Sequence, residues 1–114
     1  MNDQQAQIRE RMQQLGVKFA QRTQGELVSM REMVDQARQG DAEALRNLEL
    51  LAHKIHGTGA TFGLTGISNA AGEIEQLVSQ AVSGSAAFDD ARAARVIEVM
   101  ARLQTELDSF NMGA

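Results

Sequence analysis

Apolar residues recur three and four positions apart along almost the whole chain, and no stretch alternates polar with apolar for the length of a strand. The pattern predicts helices throughout. Ile8, Met12, Leu15 and Phe19 form a first stripe, after which Thr23-Gln24-Gly25-Glu26 has the Ser/Thr-x-x-Glu form of a capping box. That motif predicts the end of one helix, covering 1–22, and the start of another. The second helix carries Leu27, Met30, Val34 and Ala37 and should stop at Gly40, with Asp41 capping the next. A third, from about Ala42 to Gly57, presents Ala44, Leu48, Leu51 and Ile55, flanked by Leu45 and Ala52. The glycine-rich stretch from Gly57 to Gly66 should end it, with Phe62 and Leu64 tucked under the turn.

A fourth helix follows, marked by Ile67, Ala70, Ala71, Ile74, Leu77, Val78 and Ala81 and closed by Ser83-Gly84-Ser85. The last, capped at Asp89 or Asp90, shows Ala93, Val96, Met100, Leu103, Leu107 and Phe110. Short connections favour up-and-down packing. The expected fold is therefore all-α: an antiparallel four-helix bundle over 24–111, with an additional N-terminal helix packed at one end, the whole of 1–114 forming one domain.

Composition narrows the function classes. One core fits a chain of 114 residues. The absence of Cys removes disulfides, thiolate metal sites and Cys nucleophiles. A net charge of −4, with neither Trp nor Tyr, argues against a nucleic-acid partner. No apolar run approaches the ~18 residues of a membrane span, and no basic segment followed by an apolar one marks the N-terminus for export. Cytoplasmic localisation is the expectation, and a start at Met1 favours a freestanding protein.

The candidate chemistry centres on His53. At 100° per residue it falls about 170° from the mean of the third helix's buried stripe, so it faces water. Helical side chains lean over the preceding turn, so the residue placed to cover His53 is the one four positions later. That residue is Gly57, which covers nothing. Within a helix such a glycine costs roughly 0.5–1 kcal/mol against Ala; either bare access to the ring has a use, or the helix simply ends there. Spacing leaves both readings open.

Ala52-His53-Lys54-Ile55-His56-Gly57, then Gly63-Leu64, then a helix with Ile67, Ile74 and Leu77, resembles the histidine-containing phosphotransfer (HPt) domain. The resemblance covers the bundle and is most specific from Leu48 to Leu77. It implies a phosphocarrier without an independent catalytic site, which relays a phosphoryl group through His53 between aspartates of receiver domains. Partners would be a response-regulator receiver domain and a sensor or hybrid histidine kinase. No cofactor of its own is implied, the divalent metal being expected on the receiver. Physically this is coherent, because phosphoryl transfer through a loose transition state depends on in-line positioning and charge neutralisation.

Two departures from the family pattern stand out. The usual Lys three residues after the His is here His56, charged only part of the time near neutrality. Lys54 or Arg46 could bring a cation to the phosphate instead. In place of the polar amide some members carry on the next helix stands Glu75, which could orient the ring by accepting its N–H but would equally repel a phosphate. Leu50, about 60° from His53 on the outward side, offers an apolar docking contact rimmed by Arg46, Glu49 and Lys54.

Two other classes compete. Glu49, His53 and His56 lie at i, i+4 and i+7 on one face, a spacing open to metal binding. A helical adaptor without chemistry is equally compatible with a bundle.

Overall fold

The computed structural model describes residues 2–113, with side chains through Asn111, and consists of four helices without a strand among them. They are α1 (Asp3–Arg38), α2 (Ala42–Thr61), α3 (Thr65–Val82) and α4 (Asp90–Gly113). Each packs on its neighbour in chain order and α1 closes on α4, while the diagonal pairs do not meet. Interhelical contacts fix the directions. Phe19 stacks near Phe62 and Glu26 pairs with Lys54; His56 meets Ser68 and His53 meets Glu75; Gln24 meets Gln104 and Arg38 meets Asp90. In every pair one number rises as the other falls, so adjacent helices are antiparallel and the bundle is up-and-down.

Local chemistry accounts for the ends. Asn2 caps α1 with a reciprocal capping box to Gln5. Gly40, at φ +103°, turns the chain after α1, and the Asp41 carboxylate accepts from the Ala44 N–H at the start of α2. Asp89 does the same for α4 through the Arg92 N–H. The first turn of α3 has no side-chain cap, but the Glu106 carboxylate of α4 lies against Gly66, placing negative charge at that helix's positive end.

The core largely follows the stripes the periodicity marked: Leu27, Met30, Leu48, Ile55, Ile74, Val78, Val96, Met100, Leu103 and Leu107 are fully buried, while Val99, outside the stripes, joins them and Leu51 and Leu77 are only half-buried. Three expectations need correction. The separate N-terminal helix over 1–22 does not exist, because α1 runs unbroken through Thr23-Gln24-Gly25-Glu26. Thr23 is buried and its hydroxyl donates to the Phe19 carbonyl (2.9 Å), one turn back within the helix, rather than capping a new one.

Nor is the N-terminal segment packed across the end of the bundle. At 1.5 Å per residue a 36-residue helix is about 54 Å long. That equals the long axis of the molecule, 54 × 24 × 17 Å. Residues 2–15 all lie exposed, Ile8, Met12 and Leu15 among them, and burial begins at Gly16. The third correction concerns α2, which does not stop at Gly57 but continues to Thr61, the turn being made by Gly63 at φ +70°.

An ionic cluster ties α3 to α4. Glu73 accepts from both Arg102 and Arg95, and Arg95 also reaches Glu98. The hydrogen bond from Arg102 holds the Glu73 carboxyl below the usual carboxylate range, with the charges of Arg102 and Arg95 adding to it against the cost of partial burial. A depressed folded-state value means the stabilisation is complete above the unfolded value of about 4.3 and is lost as pH falls through the lowered one. Glu73→Gln should therefore be less stable than the parent at pH 7. The difference should shrink below pH ~4 in urea unfolding, and a gap unchanged at pH 3 would refute the assignment.

Candidate functional site

The outward face of α2 and the adjoining face of α3 carry the site. His53 projects from α2 with its side chain 70% exposed, opposite the stripe that buries Leu48 and Ile55. Its Nδ1 lies 2.5 Å from the Glu75 Oε2 of α3. An ionised carboxylate can only accept, so Nδ1 carries the proton and donates. In the neutral ring that leaves Nε2 as the unprotonated nitrogen. Glu75 itself is only 26% exposed, braced along α3, so its carboxylate meets the ring from a rigid element.

Gly57 is interior to α2, four residues before its last residue, Thr61, and apart from the helix's own backbone a Cβ built there would meet no atom within 4 Å. The glycine is thus neither a helix stop nor a packing requirement. Its absent side chain leaves open the space toward which residue 57 would lean, over the turn that carries His53. The Thr61 hydroxyl donates to the Gly57 carbonyl, consistent with an unbroken helix around it.

The remaining residues marked in the sequence fall at varied distances from this chemistry. Lys54 is exposed and its ammonium points to Glu26 of α1 at 3.8 Å rather than to His53. A loose pair between an exposed ammonium and a half-buried carboxylate, at this distance, contributes little and is readily exchanged for another anion. Arg46 is exposed, Glu49 half-buried, and neither makes an ion pair or side-chain hydrogen bond among the described residues. Leu50 stands 65% exposed on the same helix. No cluster of three potential metal ligands forms among the described residues: Glu49, His53 and His56 do not converge, since His53 turns to Glu75 and His56 to Ser68.

His56 is not turned freely to solvent as the lysine usual at its position would be. It is half-buried against α3, with Nδ1 2.8 Å from the Ser68 carbonyl and 3.2 Å from the Ser68 hydroxyl, which in turn donates to the His56 carbonyl at 2.8 Å. Ser68 and Gly72 were not among the residues singled out from the sequence. Two signals marked them: a Ser on the buried side of a helix otherwise lined by Ile and Ala, and a Gly in mid-helix where no turn requires one.

The family model of the Hpt domain matches residues 3–110, nearly the whole chain. No curated protein and no solved structure matches.

Proposed function

The chain belongs to the Hpt domain family, and from that premise we propose that His53 is its phosphoryl acceptor, relaying the group between aspartates of receiver domains. The reading rests on one observation: an exposed imidazole whose Nδ1 proton is held by Glu75, so that the lone pair on Nε2 faces solvent. In the forward step that lone pair attacks the phosphorus of an aspartyl phosphate. The Nε2–P bond forms, the P–O bond to the carboxylate breaks, and the carboxylate leaves with the electron pair. The Nδ1 proton stays between the ring and Glu75, which neutralises the positive charge the ring acquires. Transfer onward is the reverse, with a neutral imidazole as leaving group.

Within this proposal the receiver supplies the acidic pocket and its divalent metal, and this chain supplies a positioned nucleophile. Leu50 gives the receiver an apolar contact, with Arg46 and Glu49 at its rim. Lys54 exchanges Glu26 for the phosphate when the group arrives. The relay partners, a kinase and a receiver, place the chain in the cytoplasm; among the described residues no helix is long and apolar enough to cross a membrane.

The test is incubation with a phosphorylated receiver domain. Acid-labile, alkali-stable label should appear on His53, and its complete absence across a panel of receivers would leave the adaptor reading in place. Gly57→Glu provides a second check. The charged side chain should lean over the ring and reduce transfer on the order of 10- to 100-fold, the cost of misplacing reacting groups by about 1 Å. Melting should be unchanged or slightly raised, because Glu is the better helix former. Normal transfer by that variant would refute the access argument.

A further inference from the structure

The contact between His56 and α3 is built more closely than a surface histidine requires. The Ser68 carbonyl can only accept, so the His56 Nδ1 carries its proton and donates to it. The 3.2 Å approach to the Ser68 hydroxyl is the same N–H shared with a second acceptor, because that hydroxyl's own proton goes to the His56 carbonyl. Two hydrogen bonds of opposite sense therefore join one residue of α2 to one of α3.

The ring lies directly over Gly72. A Cβ there would sit 2.7 Å from Nδ1 and 2.9 Å from Cε1, closer than real side chains come. The glycine is a notch that the imidazole fills. One turn further along α2, a Cβ on Gly59 would lie 3.2 Å from the Ser68 backbone N, so the two helices also approach closely beside the clamp. His53 and Glu75 lie on these same two helices, one turn from His56 and from Gly72 respectively. Whatever sets the register of α2 on α3 also sets the His53–Glu75 distance.

We infer that His56 is a positioning residue: locked into the Gly72 notch and onto the Ser68 carbonyl, it holds α2 and α3 in the register that lets Glu75 take the Nδ1 proton of His53. This rests on the proposed role of His53 and adds a function for the position where the family usually has Lys. A lysine could not reproduce it, lacking the planar ring that lies on Gly72.

The experiment compares His56→Ala, His56→Asn, Gly72→Ala and the double variant His56→Ala/Gly72→Ala in the full chain. The readouts are the ¹⁵N signals of the His53 imidazole and transfer from a phosphorylated receiver, with melting curves to verify folding. The parent should show His53 with its proton on Nδ1. His56→Ala and Gly72→Ala should each convert it to a mixture of tautomers and slow transfer roughly 10- to 100-fold. The Asn amide nitrogen can stand where Nδ1 stands, so His56→Asn should restore most of both. The double variant should be no worse than either single one, since the notch matters only to the ring.

Additive losses, an Asn variant no better than Ala, or slowed transfer with the His53 tautomer unchanged would each overturn the inference. Should the parent carry no label on His53, the phosphotransfer reading fails by itself. The tautomer comparison, which needs no phosphate, still decides the positioning role.

Discussion

His53→Gln is expected to abolish phosphoryl acceptance while leaving helical content and melting essentially as in the parent. The first half follows from chemistry: an amide nitrogen has no available lone pair to attack phosphorus, and no other imidazole can substitute. His56, the only other one, is half-buried with its Nδ1 engaged by Ser68. The second half follows from exposure. With 70% of its side chain in solvent, His53 bears little packing energy, and the Gln amide can still donate to Glu75. Substitutions of this kind fall within about 0.5 kcal/mol. Labelled phosphate retained by the variant, measured with the same receiver as the parent, would remove His53 from its proposed role.

The largest effect on stability should come from Leu27→Ala, set against Ile8→Ala on the same helix. Leu27 is completely buried among the core side chains, and its truncation is expected to cost about 2–5 kcal/mol through lost transfer energy and the cavity left behind. For a domain of this size that lowers the melting temperature on the order of 10 °C or more. Ile8 is 59% exposed in the segment that extends past the bundle, and its truncation should change stability by no more than about 0.5 kcal/mol. Urea unfolding of the two variants settles the comparison. Similar losses would show that the first four turns of α1 are packed after all.

Much of the bundle was legible because its signals are local. Gly40-Asp41, Ser83-Gly84-Ser85 and Asp89 mark helix ends where they were read, since caps and positive-φ glycines act within a few residues of themselves. The Thr23-x-x-Glu26 motif misled for the same reason: a Thr hydroxyl can bond forward as a cap or back to the carbonyl four residues earlier. Which it does depends on whether Leu27, Met30 and Val34 continue the stripe begun at Phe19 into one core, and they do. Gly57 and Gly59 misled likewise. Two glycines read as a stop, yet Gly59 is buried against the Ser68 backbone of α3, Ile55 is buried in the core, and α2 stays helical to Thr61.

The site divides along the same line. That His53 points outward, with a bare position one turn on, follows from 3.6 residues per turn acting on the order of residues in one helix, and the sequence alone determines it. What Glu75 accepts, where Lys54 rests, and whether His56 is a free side chain or a clamp depend on residues 22, 28 and 12 positions away, brought close only when helices pack. The helical bundle and the exposed imidazole were thus written in periodicity, whereas the fusion of the first two predicted helices into α1 was not. The proton's position on that imidazole was decided by α3 packed against α2, because hydrogen bonds between helices require a register that no local propensity encodes.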